Sequence, residues 1–226
     1  MSLPEMSTPV TNAVIHEVFS ILAEEVPRLQ EPIVGRIARD RDPFTVLVST
    51  MLSLRTKDAT TEAACERLFS LAPTPEKLAV LPIETIEAAI FPVGFYKTKA
   101  VNIRRASEIL VEHYNGRVPC DMNELLDLPG VGRKTANLVM ILGFDEMGIC
   151  VDTHVHRITN RWGYVATKTP EETEMRLREV LPREYWKDIN NFLVPYGQYV
   201  CLPVSPYCSR CRLKGYCPRI GVKRSR

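Results

Sequence analysis

No stretch of this chain approaches the roughly 20 consecutive apolar residues that cross a bilayer, so no membrane-spanning helix and no membrane partner is expected. The opening residues, MSLPEMSTPV, lack the basic and apolar regions of a secretory signal, which leaves the cytoplasm as the expected compartment. Internal repeats, low-complexity tracts and long flexible linkers are missing too, and no train of alternating strands can be read. Histidine is scarce, with 4 residues, and tryptophan scarcer, with 2. Net charge is only +2, which by itself excludes no partner.

What is present is helical. Apolar residues make up 45% of 226, enough for one large or two small cores. Asp42-Pro43, Thr74-Pro75 and Thr169-Pro170 each place a capping side chain before a proline at a first helical position. Asp121 with Glu124 resembles a capping box. PFTVLVSTMLSL is apolar nearly all round and predicts a central buried helix. Residues 98–114 place Val101, Ala106, Ile109 and Leu110 near one face, with basic residues elsewhere. The fold class expected is all-α, about ten helices joined by short turns.

Charge is unevenly spread. Residues 201–226 hold seven basic residues and no acid, which leaves 29 − 7 = 22 basic against 27 acidic residues before them. A basic tail on an acidic body suits a polyanion, and equally suits a frayed terminus. Four of the seven cysteines, Cys201, Cys208, Cys211 and Cys217, fall in that tail with the spacing C-x6-C-x2-C-x5-C. Disulfides do not suit a reducing cytosol. Four thiolates in one short segment hold either zinc or a [4Fe–4S] cluster, and the spacing does not decide between them. Cys65, Cys120 and Cys150 sit among apolar neighbours and read as core filler.

LPGVGRKTANLV, residues 128–139, is the most specific string. Helices are expected on either side of it, over 121–128 and 133–143. Gly130 and Gly132 permit the positive φ and close approach of a tight hairpin. The N–H groups opening the second helix suit a phosphate, which they would position without reading sequence. Lys134 stands in that first turn, where the helix dipole favours loss of its proton and hence nucleophilic chemistry. Downstream, VDTHVHRITNRW gives Asp152 as a helix cap or as a carboxylate that stabilises a developing cation. His154 and His156, two apart, make a poor metal pair, but either could bond a phosphate.

Together LPGVGRKTA, VDTHVHR and the cysteine spacing resemble the endonuclease III family of helix-hairpin-helix DNA glycosylases, over about residues 20–217. The resemblance implies two helical domains with DNA in the groove between them. One is a six-helix barrel over 36–146. The other joins 1–35 to 147–226 around a [4Fe–4S] cluster held by Cys201, Cys208, Cys211 and Cys217. It implies a bifunctional glycosylase and abasic-site lyase, acting as a monomer on double-stranded DNA in base excision repair. Such an enzyme flips out damaged pyrimidines or engages abasic sites. Lys134 would be the nucleophile, with Asp152 assisting. Gly130, Gly132 and His154 would contact DNA, with Arg210, Arg212 and Lys214 on the loop that the cluster holds. A monovalent cation would bind the carbonyls of Leu126, Leu128 and Val131. In a prokaryote the enzyme would associate with the nucleoid.

Arg55 and Phe95 depart from the family pattern, which commonly has Gln and an aliphatic wedge at these DNA-facing positions. Both bear on lesion and partner-base preference. Mismatch-specific relatives usually carry Ser or Tyr where this chain has Lys134, which argues against that second reading. A third is a cluster-bearing DNA-binding or electron-transfer module without chemistry.

Overall fold

A computed structural model describes residues 9–29, 33–37 and 42–226, so most of the opening MSLPEMSTPV lies outside the described residues. Twelve α-helices are present among them and no strand. In chain order they are α1 (Ile15–Glu25), α2 (Ile33–Ile37), α3 (Pro43–Ser53), α4 (Asp58–Leu71), α5 (Pro75–Ala79) and α6 (Ile83–Ile90). There follow α7 (Tyr96–Tyr114), α8 (Met122–Asp127), α9 (Arg133–Leu138), α10 (Thr153–Arg161), α11 (Pro170–Val180) and α12 (Asp188–Tyr199). The chain divides into two compact units, residues 32–148 and residues 1–31 with 149–226.

In the 32–148 unit, α3 forms the centre. Its N-cap Asp42 accepts the Thr45 N–H at 2.7 Å, Pro43 opens the helix, and every residue from Val46 to Leu52 is buried. An all-round apolar sequence has no solvent face, so the helix must be surrounded. Around it pack Leu68 of α4, Leu78 of α5, Ile86 and Ile90 of α6, and Ile103 and Leu110 of α7. The buried face of α7 comprises Lys99, Ala100, Ile103, Ala106, Ser107 and Leu110. The expected face is thereby corrected: Val101 is 47% exposed, whereas a lysine lies inside. Cys65 is buried in this core, but Cys120 is exposed and fills nothing. After α9 the helical path widens into a π-turn, Val139–Gly143.

The other unit gathers α1, α10, α11 and α12 around Phe19, Leu22, Val155, Ile158, Leu193 and Tyr196. Thr169 caps α11 as expected, accepting the Glu172 N–H at 3.1 Å. The basic tail is not frayed. Ile220 N–H donates to Arg161 O at 3.1 Å, Arg226 N–H to Pro206 O at 2.8 Å, and Ser209 N–H to Arg226 O at 2.9 Å. No helix among the described residues is long and apolar enough to cross a membrane.

Candidate active site

The hairpin between α8 and α9 is built locally. Asp121 caps α8 by accepting from Asn123 and Glu124 N–H at 2.8 and 3.1 Å. The turn closes where Val131 N–H meets Leu128 O at 3.1 Å. Gly130 has φ +77°, and a Cβ there would come within 2.7 Å of Asn102 Nδ2 on α7, so both backbone and space demand glycine. Gly132 is different. Its φ of −109° suits any residue, and a Cβ would meet nothing within 4 Å. The expected positive φ at Gly132 is therefore corrected: what this glycine provides is open space over the start of α9. Lys134 follows it, half-buried, in the first turn of α9.

In the same unit, Arg55 leaves the end of α3 and Phe95 precedes α7. Both are exposed and both hold left-handed backbone, φ 53° and 58°. That conformation costs roughly 1–2 kcal/mol for a side-chain-bearing residue and persists only where its surroundings impose it. The Arg55 guanidinium stands over the Phe95 ring, 5.7 Å from its centroid. The two departures from the family pattern thus contact one another as a cation–π pair.

In the other unit, Asp152 is 9% exposed and caps α10, its Oδ1 accepting from His154 and Val155 N–H at 2.8 and 2.9 Å. His154 Nδ1 lies 3.1 Å from Arg157 Nη2. His156 turns to Thr173 at 2.6 Å, and burial lowers its pKa.

Cys201, Cys208, Cys211 and Cys217 line one cavity with Arg161 and Tyr196. Arg161, buried, donates to Cys201 Sγ at 3.2 Å and to Leu202 and Pro203 carbonyls at 2.7 Å each. The Tyr196 hydroxyl lies 3.1 Å from Cys211 Sγ. Burial raises the Cys211 thiol, and the Cys217 thiol to about 11. Among the described residues, no three His, Cys, Asp or Glu side chains converge to hold a single ion. Zinc would draw all four sulfurs to about 2.3 Å from one point. A cubane cluster would give each sulfur its own iron, and the four thiols lining one cavity supply the donors for either centre.

The basic residues beside the cysteines are partly engaged. Arg212 pairs with Glu24 and Glu25 of α1 at 2.9 and 3.1 Å. Arg210 lies over the Tyr207 ring at 3.9 Å, with Arg226 also over that ring at 4.2 Å. Lys214 is exposed.

Sequence reasoning missed Lys99, Arg161 and Tyr196. Lys99 had a signal: it falls on the α7 face of Ile103, Ala106 and Leu110 at helical spacing. The inward turn of Arg161 and Tyr196 had none.

Comparison with known proteins places the chain. Residues 48–183 match the HhH-GPD superfamily of base excision DNA repair proteins. Endonuclease III of Thermotoga maritima is 48% identical over 195 residues, 85% of this chain and 92% of that protein. An endonuclease III-like protein 1 of Bos taurus is 46% identical over 178 residues, 77% of this chain, which spans only 58% of that longer relative. A solved structure of a trapped covalent endonuclease III–DNA intermediate superposes with a TM-score of 0.80 at 34% identity, covering 92% of this chain and 96% of that one. The chain belongs to the endonuclease III family of the HhH-GPD base excision DNA repair proteins.

Proposed function

We propose that the chain removes damaged, oxidised pyrimidines from duplex DNA and nicks the strand at the resulting abasic site, with Lys134 as nucleophile. The observation that carries this is Lys134 in the first turn of α9, two residues after a glycine whose Cβ position is open. The neutral Lys134 amine attacks C1′ of the flipped nucleotide. The C1′–N1 bond breaks, its electron pair leaves with the base, and the base takes up a proton. Loss of the amine proton and opening of the sugar ring give a Schiff base. Removal of a C2′ proton then expels the 3′ phosphate by β-elimination. The trapped covalent complex of a 34% identical endonuclease III supports this reading.

Asp152 supplies a fixed negative charge toward the cation that develops on the sugar, and its two backbone hydrogen bonds hold the carboxylate in one orientation. The N–H groups after Gly132 take a DNA phosphate, and His154 takes another. Arg210 and Lys214 add backbone contacts. Arg212 contributes only by leaving Glu24 and Glu25. The Leu128 carbonyl already accepts Val131 N–H at 3.1 Å, and its second lone pair, with the carbonyls of Leu126 and Val131, would hold a monovalent cation.

Cys201, Cys208, Cys211 and Cys217 would hold a [4Fe–4S] cluster, which when bound cross-links the C-terminal segment and can exchange electrons. The protein acts as a monomer. If the cell is prokaryotic, its DNA substrate is met at the nucleoid, within the cytoplasm. Incubation with duplexes carrying an oxidised pyrimidine or an abasic site tests the function. Base release and a nick 3′ to the lesion are expected. An intact strand on both substrates would leave only a DNA-binding module.

A further inference from the structure

Lys99 is a charged side chain inside a helical core, 8% exposed, and among the described residues none of its hydrogen-bond partners is a carboxylate. Its Nζ donates to Leu52 O at 2.8 Å, Leu54 O at 2.6 Å and Thr56 Oγ1 at 3.2 Å. The first two are carbonyls at the end of α3, where the helix dipole favours a cation. Thr56 is a junction. Its hydroxyl donates to Leu54 O and accepts from Gly94 N–H, both at 3.2 Å. Gly94 itself packs so closely that a Cβ would come 2.7 Å from Arg55 O.

The two loops so joined are those that carry Arg55 and Phe95. Arg55 lies between Leu54 and Thr56, two of the three groups that Lys99 grips. Phe95 follows Gly94 and begins the helix from which Lys99 projects. From outside, Arg67 of α4 holds the start of the second loop through Ala89 O at 2.7 Å and Phe91 O at 2.6 Å. One turn further along α7, Asn102 lies against Gly130 of the Lys134 hairpin. A buried amine is expensive unless its donors are used, and here all three N–H groups end on the last turn of α3 and the Arg55 loop that follows it.

We propose that Lys99 is a positioning residue. By tying the Arg55 loop to the Phe95 loop, it sets the two exposed side chains as a single probe of the base stack, so that extrusion of a paired lesion depends on it. This rests on the reading that Arg55 and Phe95 face DNA. Lys99 touches neither substrate nor the reacting atoms. It supplies the geometry that the cation–π contact alone, worth about 0.5–1 kcal/mol at an exposed site, would not hold.

The test uses the holoenzyme and two duplexes. In one, 5-hydroxycytosine lies opposite guanine. In the other it lies opposite a tetrahydrofuran gap, where no partner base remains to be filled against. Single-turnover base release is measured for wild type, Lys99→Met, Thr56→Val, Arg55→Ala and Phe95→Ala, with thermal melting of each protein. Lys99→Met and Thr56→Val should lose roughly 10-fold or more on the paired lesion, as small misplacements of aligned groups do, and little on the gapped one. A variant that was merely less folded would lose on both alike. If Arg55→Ala and Phe95→Ala show the selective loss but neither Lys99→Met nor Thr56→Val does, the clamp is overturned while the DNA-facing reading stands. If Arg55→Ala and Phe95→Ala lose equally on both duplexes, that reading fails and the proposal with it.

Discussion

Replacing Asp152 separates its two roles, because asparagine keeps one and removes the other. The Oδ1 of Asp152 takes two backbone N–H groups, at 2.8 and 2.9 Å, in a position only 9% exposed. Asparagine ranks with aspartate as an N-cap, so Asp152→Asn should keep both bonds. It gives up the attraction between a carboxylate and the helix N-terminus, about 0.3–1 kcal/mol. Alanine leaves both N–H groups without an acceptor and should cost about 1–2 kcal/mol. Stability should therefore fall in the order Asp, Asn, Ala. Base release should not follow that order. If the charge stabilises the developing cation, Asn and Ala should both be slower by roughly 10²- to 10³-fold. Both tryptophans, Trp162 and Trp186, lie in the unit that contains Asp152, so urea denaturation followed by tryptophan fluorescence reads the stability of that unit. Single-turnover release of an oxidised pyrimidine reads the rate. An Asp152→Asn variant with wild-type turnover would reduce Asp152 to a cap and refute the catalytic role.

The two hairpin glycines should respond in opposite ways. Gly130→Ala, with φ +77° and a close Asn102, should lose about 1–2 kcal/mol of stability in denaturant titration. Gly132→Ala should fold normally, since nothing lies within 4 Å, yet bind lesion duplex more weakly if a phosphate approaches there. Burial lowers Lys99 from an ordinary 10.5 to about 8, so between those values the unfolded chain binds more protons than the folded one. Wild-type stability should therefore rise with pH through that window relative to Lys99→Met, and parallel pH curves for the two proteins would contradict this. Above about 8 the neutral amine has two N–H donors for three acceptors, so release of paired lesions should decline. Cys211→Ser should reduce soluble yield and bleach the yellow-brown colour, and stoichiometric zinc in a colourless wild-type protein would overturn the cluster. Arg55→Gln should change the ratio of release opposite guanine to release opposite adenine, because an arginine offers donors only and guanine presents two acceptors. An unchanged ratio would leave Arg55 as a phosphate contact.

Local rules carried much of the fold. Asp42, Thr74, Asp121 and Thr169 cap the helices for which their sequence context fits them. The burial of α3 follows from a segment with no polar face. Capping and periodicity involve neighbours within a turn or two, so they can be read without knowing the tertiary contacts. The errors lie where distant chain decides. Val101 is apolar but projects outward, whereas Lys99 points inward to the Leu52 and Leu54 carbonyls at the end of α3. Gly132 reads like Gly130, yet only Gly130 is crowded, by Asn102 from a separate helix. The basic tail reads as equally fit for fraying. It is held by bonds to Arg161 and Pro206, and neither spacing nor charge announces them. The places of Lys134 and Asp152 at helix starts were legible because short motifs fix them. The pairing of Arg55 with Phe95, 40 residues apart in sequence, was not.

The assignment of Lys134 as covalent nucleophile is tested most directly by borohydride reduction during reaction with abasic-site duplex. Wild-type protein should yield a stable protein–DNA adduct, and peptide mapping should place the cross-link on Lys134. Lys134→Gln, folded and still able to bind the duplex, should yield none. A Lys134→Gln protein that traps at the wild-type rate would contradict the account, since another amine would then form the Schiff base.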